Sequence, residues 1–296
     1  MYRNLNPQSL GVSGRQSELI ELTLTYGFRS FDLDAGELLK RATLQGIEEA
    51  TRYIQSGKVK VSGWTLPVDI GANEDKFNGD LEKLAGIAET AAEVGFSYAT
   101  VKIEPKSDTP YPENFEQHRE RLSKAGGVLA KHGMRLGVGF RPVAKQREDA
   151  AFPFIHRAEE VLTLVKNTGS DSVGLALDTW DWKVGGGGND QLSELTSQQI
   201  VSVSIADMPP DADFATIDET QRLLPTEETL ADYVPLIRLL AEGDYEGPIT
   251  ILPHSSQLSR VPRDLSVDKC AIFLDQLWKQ AGLNKAGKLI PATAET

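Results

Sequence analysis

The chain of 296 residues has one cysteine, Cys270, so no internal disulfide can staple it. It has four histidines, and 31 Lys and Arg against 43 Asp and Glu, a formal charge of −12. That shortage of basic residues excludes a nucleic-acid partner, whose backbone demands clustered Lys and Arg. A local basic pocket can still hold a small anion against the global sign. No apolar run approaches the roughly 20 residues needed to cross a bilayer. Residues 1–10 lack the apolar centre of a secretory signal. A reducing cytoplasm is the simplest location for such a chain. Chemical signatures are also missing. There is no His-x-His, no cysteine cluster, no His-Glu-x-x-His and no Gly-x-Ser-x-Gly, so neither a metal site nor a hydrolase nucleophile is spelled out.

What is present is an ordinary globular balance, 40% apolar and 25% charged residues. Short apolar runs alternate with longer amphipathic stretches, eight of each. The runs predict strands over 9–13, 28–33, 59–64, 98–103, 135–140, 172–177, 200–205 and 248–252. They are rich in Val, Ile and Leu, as strands buried on both faces should be. Helical spacing predicts helices over 16–26, 35–55, 75–94, 114–131, 158–166, 226–241 and 267–280, with a short one over 190–194. Glycines such as Gly27, Gly95 and Gly282 stand where these helices should stop. Strand then helix, eight times, predicts a (β/α)8 barrel over 1–282. An open doubly wound sheet would show a third glycine after the first run, and Gly11-Val12-Ser13-Gly14-Arg15-Gln16 lacks it. Residues 283–296 are expected to be a flexible tail. The acidic, proline-bearing stretch 207–225 is expected to be a long loop over the barrel mouth.

In a barrel, reactive groups gather where strands end. The run Val173-Gly174-Leu175-Ala176-Leu177 ends in Asp178, which would face a ligand, cap the next helix or pair with Lys102. Glu104, Asp207 and His254 stand at other strand ends and join Asp178 as candidate catalytic groups. Lys102 and Glu104 share parity on one strand. Arg141 suits an anion such as phosphate or carboxylate. Trp64 and Trp180 offer an apolar wall for a sugar ring, and Asp181 a further acceptor. Asp32 and Asp34 belong to the same pool of strand-end acids. Together these residues predict a small polar ligand, with Arg141 and Lys102 holding any anionic part. His118 and His132 are expected to be solvated on the outer ring.

Several segments carry a resemblance. Tyr26-Gly27-Phe28-Arg29-Ser30-Phe31-Asp32-Leu33 resembles a Gly-aromatic-x-x-φ-Glu-φ second strand (φ apolar). Residues 173–179 resemble a Gly-x-x-φ-Asp-Thr sixth strand. Val203-Ser204-Ile205-Ala206-Asp207 resembles a φ-His-φ-x-Asp seventh strand. Tyr245-Glu246-Gly247-Pro248-Ile249-Thr250-Ile251 resembles the approach to an eighth strand ending in Glu. In order and spacing the chain is similar to the xylose isomerase-like TIM barrels of the sugar phosphate isomerase/epimerase family.

The resemblance implies a divalent cation held by a Glu, an Asp, a His and a Glu on the fifth to eighth barrel strands. This chain has Gly139, Asp178, Ser204 and Leu252 there. One carboxylate of four ligands survives, so no metal ligand set is assigned. Mn²⁺ or Mg²⁺ binding needs a site rearranged around Asp178. The expected function is that of a sugar phosphate isomerase/epimerase-like protein, acting on or binding a sugar or sugar phosphate, with a degenerate metal site. The alternatives are a catalytically inactive sugar-binding or protein-interaction barrel, and a lyase or hydrolase on the same scaffold. Homo-oligomerisation is left open.

Overall fold

A computed structural model of the chain describes residues 1–291. Its first six strands are β1 (Tyr2–Leu5), β2 (Ser30–Phe31), β3 (Lys60–Val61), β4 (Trp64–Thr65), β5 (Tyr98–Ile103) and β6 (Lys106–Ser107). The others are β7 (Arg135–Phe140), β8 (Phe152–Pro153), β9 (Val173–Asp178), β10 (Ile200–Ile205) and β11 (Pro248–Ile251). Nine of them form one parallel sheet in the order β3-β2-β1-β11-β10-β9-β7-β5-β4. The two end strands are successive pieces of one segment. The Ser62 N–H bonds the Phe31 carbonyl at 3.2 Å and the Leu66 N–H bonds the Thr100 carbonyl at 2.8 Å, so the segment touches both edges. The sheet therefore curls into a barrel, as expected. Strands β6 and β8 pair antiparallel outside it.

The helices are α1 (Gln16–Thr25), α2 (Ala35–Gln45), α3 (Ile47–Gly57), α4 (Glu74–Val94) and α5 (Tyr111–Ala130). They continue with α6 (Ala158–Asn167), α7 (Thr179–Val184), α8 (Asn189–Ser193), α9 (Leu230–Glu242) and α10 (Arg263–Gln280). The single helix expected over 35–55 is two helices. Gly46, at φ 89°, breaks it in a conformation that glycine alone adopts without cost.

The expected first strand over 9–13 is not a strand. Gln8–Leu10 form a 3-10 turn, and the strand is Tyr2–Leu5. Its inward-facing Asn4 is buried beside Ser30 and Thr250, so the strand carries no apolar run to read. In the expected tail, Leu283 is buried and pairs with Leu289, so residues 283–291 fold back on themselves. Residues 292–296 of that expectation lie outside the described residues. Among the described residues no helix is long and apolar enough to cross a membrane.

His118 was expected to be solvated and is buried in α5. Its Nδ1 lies 2.9 Å from the Asn114 carbonyl and its ring 4.8 Å from that of Phe154. Burial pushes its pKa down from 6.5 to about 4, against the help of that carbonyl. The unfolded chain then binds a proton that the folded chain refuses, and stability falls as pH drops from 6.5 towards 4. The total loss is roughly 3 kcal/mol. A His118→Phe variant should show a flatter dependence across that window in urea unfolding at successive pH values.

Candidate functional site

Barrels of this kind usually fill their interior with branched apolar side chains. Here the inward positions include Asn4, Ser30, Thr100, Ser202, Ser204 and Thr250. Small and polar residues leave space, and a cavity of about 950 Å³ opens at the mouth. Lys102, Asp178, Trp64 and Asp32 line it, with Ser202, Ser204 and Thr250 on its polar side.

Asp178 ends β9 and caps α7. Its Oδ1 accepts the N–H groups of Trp180 and Asp181, each at 3.0 Å. The same carboxylate takes Arg222 on both oxygens, at 3.0 and 2.8 Å. The other arm of the Arg222 guanidinium donates to Asp181 Oδ1. Lys102 Nζ donates to Asp181 Oδ2 at 2.6 Å. Two acids and two bases thus neutralise one another, with Asp178, Asp181 and Arg222 all buried. The Arg222 guanidinium also lies 4.4 Å from the centre of the Trp180 ring, an added cation–π contact. Burial alone would raise the Asp178 carboxyl, but Arg222 and Lys102 overcome it and hold it below the usual range. Asp181 moves upward, because burial and the neighbouring Asp178 charge outweigh Lys102 and Arg222.

Arg222 is not one of the strand-end candidates. It comes from the loop between β10 and α9, which was expected to lie over the mouth. That loop is pinned down: Asp207 and Leu223 exchange backbone hydrogen bonds at 3.0 and 2.8 Å. The His254 N–H holds the Arg222 carbonyl at 3.0 Å. Asp207 accepts the Tyr233 and Thr229 hydroxyls, which ties β10 to α9. Its carboxylate is spent on the fold.

The remaining candidates separate. Trp64 is buried on the cavity wall, 6.1 Å from the Phe96 ring, and its indole N–H has no partner among the described residues. Trp180 was expected to face a ligand and instead is 0% exposed beneath Arg222. Glu104 is exposed and accepts Arg141 Nε at 3.1 Å. Arg141 also reaches Glu219 at 3.6 Å, so its charge is answered within the chain. His254 Nδ1 lies 2.7 Å from the Ser256 hydroxyl, at the start of a 3-10 turn. The structure therefore joins Lys102, Asp178 and Asp181 but does not bring Glu104, Asp207 or His254 to them.

A second polar cluster lies on the same cavity. Asp32 accepts Asn4 Nδ2 at 2.9 Å and Asn6 Nδ2 at 2.6 Å. No lysine or arginine pairs with it among the described residues. Burial raises its pKa, although the amides of Asn4 and Asn6 and the Ser62 hydroxyl oppose the shift.

A closed (β/α)8 barrel with a polar, acid-lined mouth defines the class of molecule. The family model described as "Xylose isomerase-like TIM barrel" matches residues 20–274, and the chain belongs to that family. Among solved structures it is similar to a xylose isomerase domain protein from Alicyclobacillus acidocaldarius. The TM-score is 0.83 at 22% identity, covering 95% of this chain and 99% of that one. It is similar to the IolI protein, solved with a binding zinc atom, with a TM-score of 0.77 at 13% identity over 95% and 98%. It is also similar to D-psicose 3-epimerase with D-tagatose from Clostridium cellulolyticum H10. There the TM-score is 0.65 at 12% identity over 95% and 99%. At these identities the likeness concerns the fold. No curated protein matches the chain by sequence.

The residues around Asp178 do not fit a divalent cation. Ser204 stands level with Asp178 on β10, and Gly139 level with Lys102 on β7. A side chain started at Gly139 would meet the Lys102 stem at 3.4 Å. Gly139 offers no donor beside Lys102, while Arg222 occupies both oxygens of Asp178. Among the described residues no three His, Cys, Asp or Glu gather to hold a metal.

Proposed function

We propose that this chain binds a small sugar-like, polyhydroxylated ligand in its mouth cavity, as a sugar isomerase/epimerase-type barrel in which Arg222 stands in for the metal. The observation that carries the reading is Arg222 spanning both buried acids, Nη1 on the two oxygens of Asp178 and Nη2 on Asp181, beside an open polar cavity. A guanidinium on a carboxylate supplies the positive charge that a dication would bring, at fixed geometry and with no exchangeable ligand position. Hydroxyl groups of a ligand meet Ser202, Ser204 and Thr250, and Trp64 offers the apolar face on which sugar rings rest. Lys102, Asp178 and Trp64 are the strand-end residues that face the ligand. Glu104, Arg141, Asp181, Asp207 and His254 support the fold or loop around them.

Calorimetric titration with D-fructose, D-tagatose and myo-inositol tests this, run once in EDTA and once with Mn²⁺. We expect at least one polyol to bind with the same affinity in both solutions, and Mn²⁺ alone to leave the unfolding temperature unchanged. Binding that appears only with Mn²⁺, or stoichiometric metal in purified protein, would sink the reading.

A further inference from the structure

We propose that the mouth cavity selects its ligand by charge, with Asp32 as the specificity-determining residue: it takes amine-bearing and neutral polyols and rejects phosphorylated ones. The inference rests on the polyol reading above and narrows it to a ligand class.

The charged residues on the cavity wall are Asp32, Asp34, Lys102 and Asp178. Asp178 is answered by Arg222, and Lys102 by Asp181. Asp34 is exposed and caps α2 through the Glu37 N–H at 2.9 Å. Asp32 is left as the partly accessible wall acid that has no cation, and its surroundings are built to keep it in place. The Ser9 N–H donates to Asn6 Oδ1 at 2.8 Å, so the Asn6 amide can only turn its NH₂ towards Asp32. Asn4 is fixed in the same way, since its Nδ2 reaches both Asp32 and Thr250 Oγ1, and Ser30 donates to its Oδ1 at 2.6 Å. Neutral amides orient a carboxylate without cancelling its charge. Each carboxylate oxygen accepts about two hydrogen bonds, so acceptor capacity is left over for a ligand.

Burial opposes ionisation of Asp32 and the Asn4 and Asn6 amides favour it; with Asp32 ionised, the unpaired field of the cavity is negative. A hydroxyl donates to Asp32 without penalty, and an ammonium gains a charge-assisted bond. A phosphate would enter against an uncompensated carboxylate, with Lys102 already committed to Asp181. Arg141, the other cation expected to greet an anion, is held by Glu104 and Glu219.

The probes are D-glucose, D-glucosamine and D-glucose 6-phosphate, titrated calorimetrically into the full chain and into its Asp32→Asn and Asp34→Asn variants. In the unmodified protein glucosamine should bind about tenfold tighter than glucose, with no detectable glucose 6-phosphate binding. Asp32→Asn should bring glucosamine down to the level of glucose, and Asp34→Asn should leave the ranking intact. Equal binding of glucose and glucosamine, tightest binding of glucose 6-phosphate, or an amine preference that survives in Asp32→Asn overturns the charge selectivity while the polyol reading stands. Failure of all three probes, together with fructose, tagatose and inositol, overturns both. If Asp32→Asn does not fold, the ranking in the unmodified protein decides the matter.

Discussion

Replacing Arg222 by alanine should destabilise the protein by about 3–5 kcal/mol, the cost of removing one partner from a buried ion pair. The variant leaves Asp178 and Asp181, 7% and 1% exposed, facing one another with Lys102 as their remaining cation. The ring of Trp180 also loses the guanidinium that covers it at 4.4 Å. For a chain of this size the unfolding temperature should fall by on the order of 10 °C. Lysine at the same position should recover only part of the loss. A single ammonium lacks the second, spaced nitrogen that lets the guanidinium bond Asp178 through Nη1 and Asp181 through Nη2 at once. Asp178→Asn added to Arg222→Ala should be less harmful than the two changes summed, because it removes the charge that the first change strands. Urea unfolding of Arg222→Ala, Arg222→Lys, Asp178→Asn and the double variant measures this. A loss under about 1 kcal/mol for Arg222→Ala would place the cluster among exposed ion pairs and remove the ground for treating it as a cation substitute.

The barrel was legible because its buried parallel strands advertise themselves. Strands β5, β7 and β10 begin and end where the apolar runs do. Asp178 was legible for the same reason, as a charge closing such a run. The first strand was not, since a barrel that leaves room for a ligand turns Asn4 inward and so has no apolar pattern there. The break in the helix after β2 hides at Gly46, because apolar residues resume their helical spacing at once beyond it. Arg222 has no periodicity to betray it. It sits in an irregular loop 44 residues from Asp178, and only the folded chain brings the two together. The signal available was a balance of charge: Asp178 and Asp181 buried side by side demand more than Lys102 alone can supply. Trp180 was misread because a residue that follows a mouth acid can point down into the barrel rim as easily as out. His118 shows the same ambiguity on the outer ring, where the polar side of α5 still meets Phe154.

Gly63 should tolerate no side chain, with a cost of about 2–4 kcal/mol for alanine, near the upper end of overpacking penalties. It joins β3 to β4, where the sheet closes. A Cβ there would stand 2.0 Å from Tyr98 Cε2 and 2.4 Å from Cζ, inside the ring's own volume. Tyr98 has little freedom to retreat. It is buried, and its hydroxyl lies 2.7 Å from the Ser62 hydroxyl, the residue next to the glycine. Pushing the ring aside breaks that bond and leaves two buried hydroxyls without each other. The ring also borders both the mouth cavity and a second cavity of about 720 Å³ at the opposite end of the barrel. It is thus a partition between them, and glycine is what lets it lie flat against the closing strand. Tyr98→Phe alone should cost only about 1–2 kcal/mol, the value of a buried hydroxyl contact. Gly63→Ala combined with Tyr98→Leu should be clearly less destabilising than the sum of the two single changes, since the smaller side chain makes room for the new methyl. Additive losses in urea unfolding would show that Gly63 acts through its backbone rather than through the tyrosine ring.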